Sequence, residues 1–216
     1  MPEILTEIEA RVVGALVEKQ LTTPEYYPLT LNALIAACNQ KTNREPVVSY
    51  GEETVQKAVD DLREKNIVYV FYGSTSRVPK YKHILPDTLE IQPPETAVLC
   101  VLMLRGAQTL GELRERTARL YEFSGLGEVS ETLDALGKRD EPLVARLERQ
   151  AGQKEARFAH LLSGEIAAAN ETASQTSAAR QTANDRIVEL EKEIENLRSE
   201  LNLFRQSFEE FKKQFE

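Results

Sequence analysis

Apolar side chains recur over the first 90 residues at helical spacing, then at strand spacing. Leu5, Ile8, Val12 and Leu16, with Val13 and Val17 beside them, share one face of a helix predicted over residues 6–19. Thr6 followed by Glu9 makes a capping-box pair at its start. Pro24 and Pro28 break the segment Thr22-Thr23-Pro24-Glu25-Tyr26-Tyr27-Pro28 into a loop. A second helix runs from Thr30 as N-cap through Leu31, Leu34 and Ile35 to Cys38. After a polar turn over residues 39–46, Ser49 with Glu52 is expected to cap a third helix, with Val55, Val59 and Leu62 inward and Asn66 at its end. The period then falls to two. Residues 67–72 and 78–85 read as strands around the turn Gly73-Ser74-Thr75-Ser76, with Pro79 assigning the second strand to an edge. Three helices and a hairpin is the winged-helix order, the hairpin being the wing.

The same order returns further on. Helices are predicted over residues 95–104, 109–120 and 128–136, and strands over 143–147 and 156–161 around the loop Gln150-Ala151-Gly152-Gln153-Lys154. In the first helices, Glu9, Val12, Val13 and Leu16 match Glu95, Val98, Leu99 and Leu102 at an offset of 86. In the second, Thr30, Leu31 and Leu34 match Thr109, Leu110 and Leu113 at 79; in the third, Val55, Val59 and Leu62 match Val129, Leu133 and Leu136 at 74. Three matches in order, each half ending in a strand pair, indicate an internal repeat. Each half is expected to close a small core. Domains of this size bury only about 60% of their unfolded surface, so the two are expected to pack together.

Residues 163–184 change character: Ser163-Gly164 stops the second hairpin, and Ala, Ser, Thr, Gln and Asn then dominate, which suits a linker or an Ala-rich helix. From there Ile187, Leu190, Ile194, Leu197, Leu201, Phe204, Phe208, Phe211 and Phe215 follow one another in alternating steps of three and four. That is a heptad seam, with Ile at a and Leu at d favouring two parallel strands. The facing g and e pairs, Arg186 with Glu191, Glu193 with Arg198 and Glu200 with Arg205, are all opposite in sign. A single amphipathic helix lying on its own body stays open as the other reading. The resulting expectation is a mainly α chain with small β-hairpin wings, an α+β fold. It comprises tandem winged-helix domains over 1–88 and 89–164, a linker over 165–184 and a C-terminal coiled-coil helix over 185–216.

Charge narrows the function. The net charge of the 216-residue chain is −8, distributed as −3 over residues 1–90, −1 over 91–164 and −4 over 165–216. Attraction to phosphate therefore has to come from local patches. No run of 18 apolar residues suggests a membrane span, and the N-terminus lacks a signal-peptide pattern, so a cytoplasmic protein is expected. Cys38 and Cys100 each stand in an apolar helical pattern and read as buried free thiols. His83 and His160 have no metal-ligand spacing, and no phosphate loop or nucleophile motif is present, so neither cofactor, metal nor catalysis is expected.

In a helix-turn-helix the third helix enters the major groove N-terminus first. The candidate nucleic-acid residues are therefore Lys41, Asn43 and Arg44 in the turn before it, Gln56 and Lys57 on it, and Arg77, Lys80 and Lys82 in the wing, with Tyr81 between the lysines. Arg114, Arg116 and Lys154 are their counterparts in the second copy. Against them stand Glu52, Glu53, Asp60, Asp61 and Glu64 on the first third helix, and Glu128, Glu131 and Asp134 on the second. The expectation is a non-enzymatic, regulator-like protein that binds duplex DNA and forms a parallel homodimer through Ile187 to Phe211. The alternative is a protein–protein interaction module using the same surfaces. Asn32, Asn39, Gln40 and their neighbours Thr22, Thr23 and Tyr27 read as loop caps rather than a pocket.

Three stretches carry a family resemblance: Thr22 to Leu34 running into Cys38-Asn39-Gln40-Lys41-Thr42-Asn43-Arg44, then Leu102 to Arg114, then Pro142 to Phe158. They resemble the YceH family of bacterial proteins, and the likeness spans residues 4–164. It implies tandem winged helices and no particular activity. The family pattern has Pro at the positions of Ala107 and Leu110, departures expected to shift a loop and a helix start but not the fold.

Overall fold

The first helix of the computed structural model, which describes residues 4–72, 78–149 and 155–164, is α1 (Glu7–Thr22). Its capping box forms as expected: the Glu9 amide donates to the Thr6 hydroxyl at 3.2 Å and the Thr6 amide to the Glu9 carboxylate. The helix is enclosed from Glu9 to Glu18 on every side, not along one face. A helix buried all round must satisfy the charges it carries. Glu9 pairs with Lys65 at 2.8 Å, Glu18 with Arg44 at 2.6 Å, and Arg11 donates to the Pro46 carbonyl at 2.7 Å.

A short 3-10 turn (Pro24–Tyr26) and the two-residue strand β1 (Leu29–Thr30) lead into α2 (Leu31–Cys38), capped by the Thr30 hydroxyl. The third helix, α3 (Glu52–Glu64), differs at its start. Its N-cap is Gly51 and no side chain caps it. Glu52 is the first helical residue, so it cannot act as the third-position partner of Ser49. At the other end Asn66 takes a positive φ of 54°, which Asn tolerates better than most residues. Strands β2 (Val68–Phe71) and β3 (Lys80–His83) then pair antiparallel. Strand β1 adds to the far side of β3, with Leu29 opposite Tyr81 and Thr30 opposite Lys80. The order β1-β3-β2 makes β3 the central strand, and Pro79 lies one residue before it rather than on an edge. A five-residue helix, α4 (Leu85–Leu89), closes this half.

The second half repeats the order with α5 (Pro93–Arg105), α6 (Leu110–Thr117), α7 (Leu126–Gly137), β4 (Val144–Arg146) and β5 (Phe158–His160). Thr109 and Glu112 form the capping box of α6. Leu110 sits at the first helical position, a place Pro also favours. The repeat-related pairs Val12 and Val98, Leu16 and Leu102, Leu34 and Leu113, Val55 and Val129, Val59 and Leu133, and Leu62 and Leu136 are all buried.

The two halves meet along α1 and α5. Gly14 and Cys100, mates at the repeat offset of 86, face each other there: the Cys100 Sγ lies 3.5 Å from the Gly14 carbonyl oxygen. A Cβ on Gly14 would come within 3.0 Å of the Leu104 side chain, so the missing side chain sets the approach. One continuous apolar cluster runs from Leu5 to Leu162 through both halves. The described residues belong to a compact unit, Met1–Ile166; a second unit, Ala167–Glu216, lies outside them, and with it the expected linker and the seam Ile187, Leu190, Ile194, Leu197, Leu201, Phe204, Phe208 and Phe211. The fold is thus mixed, helices with small antiparallel sheets.

Candidate nucleic-acid interface

Successive side chains of a strand point to opposite faces, and the first hairpin uses this to separate two chemistries. Val68, Tyr81 and His83 turn inward and are buried. Tyr69, Phe71, Lys80 and Lys82 turn the other way; Tyr69 and Phe71 are 49% and 48% exposed. The register sets Tyr69 opposite Lys82 and Phe71 opposite Lys80. Neither lysine forms an ion pair among the described residues.

The inward groups fasten this hairpin to the helices. The Tyr81 hydroxyl donates to Gln56 Oε1 on α3 at 3.3 Å, and the His83 amide donates to the Tyr27 hydroxyl at 2.8 Å. The Tyr27 and His83 rings also meet edge to face, 6.1 Å apart. Burial pushes the Tyr27 phenol well above its usual range. It pushes the His83 imidazole down to about 4, with the nearby Lys82 charge acting in the same direction. His83 Nδ1 accepts from the Leu85 amide, and its Nε2 is buried with no hydrogen-bond partner among the described residues.

The sequence-expected residues divide sharply. Lys41, Lys57, Lys82 and Arg114 are exposed and Lys80 is half-exposed. Arg44 is a correction. Its side chain is fully buried, donating to both Glu18 oxygens, at 3.2 and 2.6 Å, and twice to the Ala37 carbonyl, so it ties α1 to α2 and cannot reach a phosphate. Asn43 is half-buried at a φ of 59°, its Oδ1 accepting from Arg105 and its carbonyl from Arg44. Gln56 is spent between Tyr81 and Asp60, and is no base reader. Arg116 is partly buried against Glu112 at 3.3 Å, which also takes Arg157 at 3.1 Å. Arg77 and Lys154 lie outside the described residues.

The outward face of α3 is acidic, as its sequence implies. Glu52, Glu53 and Glu64 are exposed, and Arg63 is neutralised by Asp60 at 3.0 Å. Tyr69 and Phe71 were missing from the sequence candidates. The signal was available: alternation makes Tyr69 and Phe71 share the face opposite to Val68, and Lys80 and Lys82 the face opposite to Tyr81. What the strand pattern did not supply was the register that puts the two pairs side by side.

Among the described residues no three His, Cys, Asp or Glu side chains gather as metal ligands, and no helix is long and apolar enough to cross a membrane. Both cysteines are buried and unbridged, and burial raises the Cys38 thiol to about 12.

The family profile described as "Protein of unknown function, DUF480" matches residues 5–153. A UPF0502 protein of Pelobacter propionicus is 49% identical over 220 residues, covering the whole of both chains. One from Opitutus terrae is 50% identical over 196 residues, covering 90% of this chain and 84% of that protein. A third, from Geobacter sulfurreducens, is 49% identical over the full length of both.

Proposed function

The chain belongs to the DUF480 family, whose UPF0502 relatives are bacterial, and from that premise we propose that it is a non-enzymatic, regulator-like DNA-binding protein of tandem winged-helix build. The observation that carries the reading is the pair Lys80 and Lys82, alternating along one face of the first hairpin and forming no ion pair among the described residues. The repeated order of three helices and a strand pair supports the winged-helix assignment. The contact falls on the hairpin, since Glu52, Glu53 and Glu64 oppose entry of α3 into a groove lined by phosphates. The non-enzymatic part is supported by where the reactive side chains lie: Cys38, Cys100 and His83 are all enclosed in the core. A cytoplasmic setting goes with two free, buried thiols.

Mobility shift at graded salt tests this. Binding to DNA should fall steeply as salt rises, and Lys80→Ala or Lys82→Ala should weaken it for every sequence while lowering the log–log salt slope by about 0.9 each. Absence of binding to any DNA at low salt would sink the reading. The acidic faces of α3 and α7 favour a second one, docking of a basic protein partner, and that result would move the assignment there.

The proposal extends to a parallel homodimer through the heptad seam of the tail. Light scattering of the full chain should report twice the monomer mass, and Leu190→Asp with Leu197→Asp should halve it. A monomeric parent chain would refute the dimer.

A further inference from the structure

Resting on the DNA-binding reading, we propose that the outer face of the first sheet is a stacking platform for unpaired nucleotides, so that the protein prefers single-stranded to double-stranded nucleic acid. Tyr69 and Phe71 stand two residues apart on β2, about 7 Å along the strand. They present exposed rings on the same side of the sheet. Directly across, on the central strand, Lys82 and Lys80 stand opposite them, about 5 Å away between Cβ atoms. Each aromatic ring thus has a cation beside it, and the motif repeats once along the strand direction.

That arrangement matches the chemistry of an unpaired strand. A base offers a flat π-face to an aromatic ring whatever its sequence, and its phosphate needs a positive charge within a few ångströms. In a duplex the base faces are already stacked on one another, so exposed rings gain nothing from it and only the lysines contribute. A four-stranded sheet that stacks two or three bases on its aromatics works on the same principle. The surroundings agree. Thr30, on the strand beyond Lys80, brings a neutral hydroxyl, and no carboxylate pairs with either lysine among the described residues. Tyr72 and Val78, where the hairpin leaves the sheet, are 67% and 54% exposed, so apolar surface continues past the strands. The acidic face of α3, a liability against a duplex wrapped over both elements, is no obstacle to a single strand lying along β2.

The test is fluorescence anisotropy on the full chain with a labelled oligothymidylate of about 12 nucleotides and a duplex of the same length. The expected result is at least tenfold tighter binding of the oligothymidylate. Tyr69→Ala and Phe71→Ala should each weaken it about tenfold, Tyr69→Phe should restore most of the affinity, and duplex binding should stay unchanged in all three. Both rings are half-exposed, so circular dichroism melts should match the parent and show that the variants fold. Equal affinity for both probes, or aromatic variants that bind the oligothymidylate like the parent, overturns the platform while leaving DNA binding by the lysines standing. Binding of neither probe overturns both. If Tyr69→Ala lowers the solution mass without touching oligothymidylate binding, the face is a contact between copies of this chain and the platform is overturned.

Discussion

Arg44 shows how far burial changes what a residue type means. In the sequence it closes a run of polar and basic residues that looks like a phosphate clamp. In the fold its guanidinium holds Glu18 and the Ala37 carbonyl inside the core. Removing one partner of a buried ion pair leaves the other charged and unpaired, which costs about 3–5 kcal/mol. Arg44→Ala should therefore lower the unfolding free energy by about that amount in urea titrations. Arg44→Met combined with Glu18→Leu should lose much less, because no charge is stranded. A single variant as stable as the parent would show the pair to be dispensable. By contrast, Lys82, next to the last residue of its strand and facing out, stays exposed.

At the scale of elements, caps and register decide. Thr6, Thr30 and Thr109 each start a helix through a hydroxyl that takes an otherwise orphaned amide, and all three starts were readable. α3 was not, because Gly51 enters it without a side-chain cap. Strand β1 was missed because two residues carry no period of their own. Its pairing with β3 exists only once Pro28 and the turn before it have brought Leu29 beside Tyr81. The consequence is more than nomenclature. β3 is held by β2 along its whole length and by β1 at Lys80 and Tyr81, whereas an edge strand would leave Lys80 on a free border.

For the whole molecule, the repeat places a histidine at matching points of the two hairpins. His83 pairs with Val68 and His160 with Val144, each valine being the first residue of its strand. Burial pushes both rings down to about 4, with Lys82 adding to the effect at His83, and each leaves one buried ring nitrogen without a hydrogen-bond partner among the described residues. The unfolded chain keeps the ordinary value near 6.5. The folded state therefore binds fewer protons than the unfolded state between those values. The stabilisation is complete above pH 6.5 and is lost as pH falls towards 4, on the order of 3 kcal/mol for each ring. Urea midpoints measured from pH 7.5 down to 4.5 should fall over this range, and His83→Gln with His160→Gln should flatten the decline. A parent chain equally stable at both ends would contradict it.

Local order was legible without coordinates. Ten of the elements follow from apolar spacing, capping residues and strand alternation, which act within a few residues of one another, and so does the repeat that relates Val55 to Val129 and Leu16 to Leu102. That the two halves pack together was expected from their size, but the residues that make the shared core were not legible. Gly14 against Cys100, the full enclosure of α1 and the withdrawal of Arg44, Asn43 and Gln56 from the surface depend on groups between 7 and 86 residues apart. The candidate site divides the same way. Its lysines were visible as charges on a strand, but its aromatics became partners of those lysines only through the register of β2 on β3. Short-range periodicity is written into neighbouring side chains; which distant surfaces meet is decided by how the closed chain packs, and that is where burial turns a charge into a strut or leaves it free to bind.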